Sequence, residues 1–287
     1  MKIEKFYIGL DIGGTKIMGA LANSRGQIIR KLRESTPPGL EEGLGLIRNM
    51  VKSLAARREI EAVGAAIGGP LDYREGVVSP LHQPAWRNVP LKKIMESKYR
   101  CRFHVDVDTN AAALGEYRFA AHSASRLLYV TISTGIGGGF IINGEIYRGK
   151  NGIHPEVGHQ SVNFKCSHPE KVICECGAPD CLEALASGNG IRRVYGKSPE
   201  NLNDGEWDEV AYNLGQGIRN LAVIYAPQLI VLGGGIAIGR GELLATRISE
   251  VMERYLKIIP QPEIRLSKLG YETALYGAVA LAMRGAV

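Results

Sequence analysis

The sequence predicts an α/β protein, and two observations support this fold class. First, the 36 glycines of the 287-residue chain cluster in short loops after apolar runs, as in α/β proteins whose backbone approaches phosphates closely. Second, the order of elements occurs twice, because each half opens with antiparallel strands and a loop of glycine and threonine. The length permits two domains of ordinary size, and the repeated order favours them.

The first half begins with three short β-rich runs, which predict an antiparallel meander rather than a strand–helix–strand unit. The predicted elements of this half are strands over 6–10, 17–22 and 27–32, a helix over 40–56, a strand over 61–67, a helix over 91–99, a strand over 103–107 and a helix over 110–121 that Thr109 caps.

The second half repeats this order and adds long helical patterns. Its predicted elements are a strand over 127–132, a hairpin over 140–147 that turns at Asn143-Gly144, helices over 182–195 and 206–225, a strand over 229–232, a further helix, a strand over 263–266 and a last helix from about Ala274. We expect an N-terminal domain over 1–118 and a larger C-terminal domain over 119–272. The last helix, about 273–287, should cross back onto the first domain.

Composition and charge exclude several classes of protein. The chain is 45% hydrophobic and 22% charged, which is ordinary for a soluble globular protein. Its net charge of +6 is scattered, without the basic helix or basic aromatic face that nucleic-acid binding requires. No apolar run approaches the ~20 residues that span a bilayer. We therefore expect a cytoplasmic protein with no nucleic-acid or membrane partner and a mild attraction for anions such as nucleotides.

Four residues form a potential metal site. Three of the five cysteines fall within eight residues, which favours a metal site over a disulfide framework. With His159, the thiolates of Cys174, Cys176 and Cys181 make a ligand set typical of structural zinc. The neighbouring Glu156 and Glu183 are not needed by a metal that already has four ligands, so we expect them to form a polar pocket.

Glycine loops follow three predicted strands. In the loop Asp11–Lys16, Gly13 and Gly14 permit close approach to a phosphate, Thr15 and Lys16 offer a hydroxyl and a charge, and Asp11 can hold Mg²⁺ through water. A β-turn capped by Asp and Thr is the alternative. The corresponding loop of the second half contains Thr134, Gly135 and Gly137. The glycines Gly233, Gly234 and Gly235 would let an adenine ring lie against bare backbone.

Asp108 follows a predicted strand and precedes a predicted helix. One interpretation is a helix cap, since Asp and Thr are common at this position. The other is a carboxylate that takes a proton from an alcohol as the alcohol attacks phosphorus.

Taken together, these motifs resemble those of the ROK family, which contains transcriptional repressors, unassigned reading frames and sugar kinases. The resemblance covers nearly the whole chain. It rests on motifs that occur in the family's order: Asp11-x-Gly-Gly-Thr-Lys16, Asp108-x-Asn110-Ala-Ala, Thr134-Gly-x-Gly137, Glu156-x-Gly-His159 and Cys174-x-Cys-Gly-x-x-x-Cys181-x-Glu183. It implies an actin-like (hexokinase-like, ribonuclease H-like) fold, in which two α/β domains close on ATP and a sugar.

The resemblance also implies a role for each motif. Asp108 matches the catalytic base that activates the sugar 6-hydroxyl. The residues expected to bind substrate are Asn110, Glu156, His159, Glu183 and Gly69. Those expected to bind ATP and Mg²⁺ are Asp11, Gly13, Gly14, Thr15, Lys16, Thr134, Gly135, Gly137, Gly234 and Gly235. The expected zinc ligands are His159, Cys174, Cys176 and Cys181. Family members also suggest a homodimer or homotetramer.

Three departures from the family pattern stand out. Val107 replaces an asparagine that touches the sugar, and it cannot form hydrogen bonds. The segment 80–86 lacks another common asparagine, so that His82 or Gln83 either replaces it or is only a loop residue. The stretch 160–173 is longer than usual, and we interpret it as a flexible flap with a free thiol at Cys166. The alternative is that Cys166 and His168 are metal ligands.

These observations lead us to expect an ATP-dependent hexose 6-kinase of glucokinase type. N-acetylmannosamine kinase, N-acetylglucosamine kinase and fructokinase are alternatives on the same scaffold, and a sugar sensor without activity is a further one. The family's repressors carry a winged-helix domain before the first glycine loop. Only about ten residues precede Asp11 in this sequence, so we favour the kinase.

Overall fold

The computed structural model describes residues 4–120 and 124–284. The chain divides into two compact units. The first unit comprises residues 1–122, 148–153 and 272–287, and the second comprises residues 123–147 and 154–271. Ala121, at the end of one predicted helix, and residues 285–287, at the end of another, lie outside the described residues.

Both units contain helices and strands. In chain order they are β1 (Phe6–Ile12), β2 (Lys16–Asn23), β3 (Ile28–Ser35), α1 (Leu40–Ala55), β4 (Ile60–Ile67), β5 (Leu71–Asp72), β6 (Val77–Val78), β7 (Val89–Pro90), α2 (Leu91–Tyr99), β8 (Arg102–Val107), α3 (Asp108–Phe119), β9 (Arg126–Ile132), β10 (Ile136–Ile142), β11 (Glu145–Ile146), α4 (Leu182–Ala186), α5 (Gly188–Tyr195), α6 (Asp204–Tyr225), β12 (Leu229–Gly233), α7 (Gly234–Arg240), α8 (Glu242–Tyr255), β13 (Glu263–Leu266) and α9 (Thr273–Ala282).

The first unit is built on a mixed five-stranded sheet in the order β3-β2-β1-β4-β8. The strands β1, β4 and β8 are parallel to one another, so their carboxyl ends meet at one edge of the sheet. Helix α9 lies directly on β1 and β4. A side chain at Gly64 would place its Cβ 2.0 Å from the Ala278 carbonyl oxygen, so glycine is required for this close packing.

The second unit has a mixed five-stranded sheet in the order β11-β10-β9-β12-β13. Here β9, β12 and β13 run parallel, and the segments that follow β9 and β12 lie at one edge. The long helix α6 packs against α4 and α8. It begins with a capping box, in which Asn203 and Glu206 each bond the other's backbone N–H.

The structure confirms most predicted elements, and two match residue for residue: the helix Leu91–Tyr99 and the strand Glu263–Leu266. Two predictions are wrong. Thr109 does not cap α3, because the helix already begins at Asp108, whose own carboxylate accepts a hydrogen bond from the Thr109 N–H at 2.8 Å. The predicted helix over 182–195 is interrupted at Ser187, which has extended backbone and caps α5 by accepting from the Gly190 N–H. The short strands β5, β6 and β7 were not predicted.

Across residues 4–120 and 124–284, no helix combines the length and apolar character needed to cross a bilayer.

Candidate active site

The first glycine loop, Asp11–Lys16, follows β1 at the carboxyl edge of the first sheet. Two neighbours fix its shape by donating to the Gly13 carbonyl oxygen: the Thr36 hydroxyl at 2.7 Å and the Gln83 amide at 3.4 Å. Gln83 is only 7% exposed. Its side chain therefore supports the loop, which favours the interpretation of Gln83 as a loop residue. A Cβ on Gly14 would lie 3.2 Å from that of His82.

Asp11 has an unusual carboxyl group within this loop. Burial, and to a smaller extent the Asp108 carboxylate, raise its pKa to about 7, and Lys16 opposes both effects. The two carboxylates belong to the same edge of the first sheet. This placement follows from the sheet, since β1, β4 and β8 are parallel neighbours and end at the same edge. Gly69, which follows β4, belongs to the same edge.

Asp108 itself is exposed, in the first turn of α3. Its carboxylate is oriented by the Thr109 N–H. The preceding Val107 is buried, at 4% exposure, so its side chain belongs to the core and not to a surface that a ligand can reach. The sugar contact that the family's asparagine would make is therefore not made by Val107.

Behind Asp108 lies a buried ionic group that the sequence did not predict. Asp106 is 1% exposed and forms an ion pair with Arg148, whose guanidinium also stacks over the Tyr73 ring at 3.8 Å. Asp106 further accepts from the Val107 N–H at 2.9 Å and the Asn110 amide at 3.0 Å. These bonds tie the end of β8 to the start of α3, and thus hold the backbone that carries Asp108.

Asn110 is part of this buried group, which conflicts with its expected contact to substrate. Its side chain is fully buried and donates to Asp106. Its Oδ1 atom has no hydrogen-bond partner in the described part of the chain. We therefore interpret Asn110 as a support for the junction between β8 and α3 and not as a ligand for a sugar.

The second glycine loop, Ser133–Gly137, follows β9 in the second unit. The first turn of α5 holds it: the Gly188 N–H donates to the Ser133 carbonyl at 2.7 Å and the Asn189 N–H to that of Thr134 at 3.1 Å. Gly135 is packed against Glu183, because a Cβ there would lie 2.7 Å from the Glu183 Oε2 atom. The same oxygen accepts from the Ile136 N–H at 2.8 Å.

Three of the residues expected to bind a sugar, Glu156, His159 and Glu183, belong to the second unit. Glu156 is exposed, and its Oε1 atom is 3.4 Å from the His154 Nε2 atom. Glu183 Oε1 lies 3.9 Å from His159 Nε2. The His159 ring thus has one nitrogen directed at a carboxylate and the other directed at the cysteines.

The four expected zinc ligands converge. The ligand atoms of His159, Cys174, Cys176 and Cys181 all lie within 4.8 Å of one another. Cys174 Sγ is 3.4 Å from His159 Nδ1, and Cys176 Sγ is 3.2 Å from Cys181 Sγ. Tetrahedral zinc with bonds of about 2.0–2.3 Å requires ligand separations of about 3.3–3.8 Å. Both the donor set and its spacing therefore fit structural zinc.

The thiols of this cluster differ in acidity. The Ala178 N–H, followed by the Cys181 thiol, lowers the pKa of Cys176 to about 7. Burial raises the pKa of Cys181 and that of Cys174. Zinc binding requires deprotonated thiols, and Cys176 is the most acidic thiol of the cluster.

The long stretch 160–173 is tied to α6 and does not lie free. Asn213 bonds both the N–H and the carbonyl of Lys165 at 2.9 Å, and Glu209 accepts from the Ser167 N–H at 2.9 Å. These bonds contradict the interpretation of a loose flap. Cys166 and His168 are not members of the metal cluster found in the described residues, which removes them as alternative ligands there.

A cavity of about 510 Å³ lies beside the second glycine loop in the same unit. The sequence predicted two of its lining residues, Thr134 and Gly235. It did not predict the larger side chains that line the cavity: Arg192, Glu200, Trp207 and Arg240. Arg240 stacks its guanidinium 4.5 Å from the Trp207 ring centre. Nothing in the local sequence could have identified these residues, because they come from four separate segments.

Two glycines of the run after β12 have different surroundings. Gly234 has φ of +85°, and a Cβ there would lie 2.5 Å from the Ile132 carbonyl oxygen. A Cβ on Gly235 would meet nothing within 4 Å, and this residue lines the cavity. Gly234 is thus required for the turn, whereas Gly235 leaves open backbone for a ligand.

Comparison with known proteins identifies the protein family. The model of the ROK family matches residues 7–284. A ROK hexokinase from Thermus thermophilus superposes with a TM-score of 0.86 and 32% identity, covering 96% of this chain and 97% of that one. A ROK glucokinase from Streptomyces griseus, solved with glucose and AMPPNP, gives a TM-score of 0.79 and 30% identity over 98% and 100% of the chains.

Two further relatives match along nearly the whole chain. The glucokinase of Streptomyces coelicolor is 30% identical over 96% of both chains. The xylose repressor of Caldicellulosiruptor bescii is 28% identical over 96% of this chain and 77% of that protein. The chain belongs to the ROK family. Its fold is the two-domain, actin-like α/β fold of the ROK hexokinase structures, as the sequence predicted.

Proposed function

We propose that this protein is an ATP-dependent kinase that phosphorylates the 6-hydroxyl of a hexose. The observation that supports this most directly is the pair Asp11 and Asp108 at one edge of the first sheet. A carboxylate beside a glycine loop is the arrangement that phosphoryl transfer to an alcohol requires. The similarity to glucokinases at about 30% identity supports the same reaction class.

In this proposal, the two glycine loops and the cavity beside the second loop bind ATP. Gly13, Gly14, Thr15 and Lys16 contact phosphates, as do Thr134, Gly135 and Gly137. Gly234 and Gly235 lie on the adenosine side, where Trp207 and Arg240 offer a flat, stacked surface. Mg²⁺, when bound, neutralises charge on the phosphates, and Asp11 would hold it through water.

Sugar hydroxyls would be bound by Glu156, His159, Glu183 and the backbone at Gly69. Zinc supplies a fixed point for this pocket. If His159 binds the metal through Nδ1, its Nε2 atom faces Glu183, so the ring orientation is set by metal and carboxylate together. A bound sugar would cover these polar groups, and an epimer that left one of them unpaired would bind more weakly by ~1–3 kcal/mol.

The chemical step then has few participants. Asp108 accepts the proton of the sugar hydroxyl while the oxygen forms its bond to the γ-phosphorus. The bond from that phosphorus to the β–γ bridging oxygen breaks, and ADP leaves with the electron pair. Asp106 and Arg148 keep the backbone that carries Asp108 in place.

The decisive experiment is an ADP-release assay with Mg-ATP and glucose, mannose, fructose, N-acetylglucosamine and N-acetylmannosamine. We expect turnover of one sugar well above the others, with glucose the first expectation. Preference for an N-acetylhexosamine or for fructose would correct the substrate and keep the reaction. Binding of a sugar, seen by calorimetry, without turnover of any sugar would contradict the kinase and identify a sensor.

A further inference from the structure

A second groove lies in the first unit, at the edge of the sheet opposite the glycine loop. Its walls are the last turns of α1 and α2 and the segments that lead from them into β4 and β8. Those segments precede the strands, whereas Asp11, Gly69 and Asp108 are at or just beyond the strands' carboxyl ends. The groove has a volume of about 730 Å³, which is within the range of small-molecule sites.

The groove is strongly cationic. Five basic side chains line it against one carboxylate, that of Glu59, and they are Arg48, Lys52, Arg58, Lys98 and Arg100. This excess is a large part of the chain's formal net charge of +6. Within the described chain, Arg48, Lys52, Lys98 and Arg100 form no ion pair, and the nearby Glu61 is already paired with Lys5 and Arg102. Cations held close together repel one another, so a bound anion would relieve the repulsion.

Helix dipoles explain only part of this charge. Lys52 and Lys98 lie in the last turns of α1 and α2, where cations interact favourably with the helix carbonyls. Arg100, the C-cap of α2, shares this interaction, whereas Arg48 lies before the last turn of α1 and does not. Arg58 stacks over the Phe6 ring at 5.2 Å, whereas Arg48 and Arg100 line the groove and form no ion pair within the described chain.

The backbone at the groove is also unusual. Among the described residues, three that are neither glycine nor asparagine have positive φ. Two of them line the groove: Ala56 at 51° and Arg100 at 53°. Positive φ is unfavourable for residues with a side chain. At the end of α2, glycine would avoid the cost, whereas arginine adds a charge to the groove.

The floor of the groove is less polar than its walls. Val51 and Val63 are buried there, and the Tyr99 ring lies beside them. The Tyr99 hydroxyl donates to the Arg48 carbonyl at 2.9 Å, and burial raises the pKa of Tyr99 to about 12, so the floor carries no negative charge at neutral pH. An organic anion with a compact body and several charges fits both floor and walls.

We propose that this groove binds a small, multiply phosphorylated anion, with the guanidinium groups of Arg48 and Arg100 on the phosphates. Guanidinium groups suit this role because their planar forks match phosphate oxygens in pairs. The site is separate from the proposed ATP site, so this inference does not depend on the proposed function.

The test is calorimetric titration with sodium tripolyphosphate at 0.15 M KCl. The proteins compared are the wild type, Arg48→Gln/Arg100→Gln and the matched control Arg25→Gln/Arg33→Gln, which removes the same charge elsewhere in the first unit. We expect the groove variant to lose one binding site, or to bind it at least tenfold more weakly, while the control retains it. Any tripolyphosphate site at the glycine loops is unchanged in all three proteins. Failure of the proposed kinase function would therefore not produce the expected difference between the groove variant and the control.

Three results would overturn the proposal: no binding to the wild type, an unchanged titration in the groove variant, or an equal loss in the control. If Arg48→Gln/Arg100→Gln does not fold, Lys52→Gln/Lys98→Gln takes its place. Both of those lysines are exposed, so their replacement should leave the fold intact.

Discussion

Glu183 and Ile136 are joined by a hydrogen bond of 2.8 Å from the Ile136 N–H to the Glu183 carboxylate. The bond crosses 47 positions of sequence and links two functions within the second unit. Ile136 belongs to the glycine loop expected to hold phosphates, whereas Glu183 lies two residues after the metal-cluster residue Cys181 and faces His159. The cluster of His159 and three cysteines and the second glycine loop are thus connected by a single side chain.

Replacement of Glu183 should therefore change stability as well as binding. We expect Glu183→Ala to lower the free energy of unfolding by about 1–3 kcal/mol, because the Ile136 N–H loses its acceptor. Glu183→Gln retains an acceptor and should lose less than half as much, while both variants bind sugar poorly. Urea unfolding measures the first effect and calorimetry the second. Equal destabilisation by the two substitutions would argue against the bond to Ile136 as the cause.

Asp108→Asn tests the assignment of the catalytic base. We expect turnover to fall by about 10²–10⁴-fold, which is the usual contribution of a general base. Sugar affinity should change by less than roughly threefold, because the asparagine is isosteric. A steady-state assay and a calorimetric titration of the same protein give both numbers, with Asp208→Asn, an exposed aspartate of the second unit, as control. Full activity in Asp108→Asn would eliminate the base assignment.

The raised pKa of Asp11 predicts a pH-dependent stability in the protein without nucleotide or Mg²⁺. The folded state holds the Asp11 proton up to about pH 7, whereas the unfolded chain releases it near pH 4. The folded state thus binds more protons between these values, and its stability falls as pH rises through this window. Asp11→Asn removes the effect and should be more stable than the wild type at pH 8 by on the order of 2–4 kcal/mol.

Urea unfolding of both proteins between pH 4 and 8 measures the difference. The two curves should meet near pH 4, where Asp11 is neutral in either state. In Asp108→Asn, the pH range over which stability falls should narrow, because the Asp108 charge that helps to raise the pKa of Asp11 is removed. A difference that stays constant across the whole range would refute the raised pKa.

The metal cluster allows a direct test with an internal control. We expect Cys176→Ser to lower both the zinc content and the free energy of unfolding, by at least about 2 kcal/mol, because the metal's binding energy contributes to folding. Cys166→Ser should leave both unchanged, since Cys166 lies outside the cluster. Metal analysis measures the zinc content, and thermal unfolding measures the stability. A zinc-free Cys176→Ser protein of wild-type stability would contradict the structural role.

The buried ion pair between Asp106 and Arg148 predicts that the loss of stability from replacing one partner depends on whether the other is still charged. Arg148→Met leaves the Asp106 carboxylate buried without its cation, which should cost about 3–5 kcal/mol. Adding Asp106→Asn removes the charge, so the double variant should be more stable than Arg148→Met alone. Chemical unfolding of the single and double variants measures the coupling. Strictly additive effects would show that the two residues do not act as a pair.

Much of this protein could be predicted from the sequence because the relevant information is local. Strand and helix positions follow from the spacing of apolar residues, and three cysteines within eight residues indicate a metal site in any fold. The glycine loops could be found because each directly follows an apolar run. Parallel strands then place their ends together, which brings Asp11 and Asp108 to one edge.

Only the tertiary structure decided which side chains meet across distant segments. Arg148 reaches Asp106 over 42 positions and thereby encloses Asn110, which sequence reasoning had assigned to the substrate. Trp207 and Arg240 meet beside a loop that contains neither of them, and Arg48 and Arg100 share a groove because two helices end together. Such contacts depend on the packing of whole elements, and local spacing does not specify them.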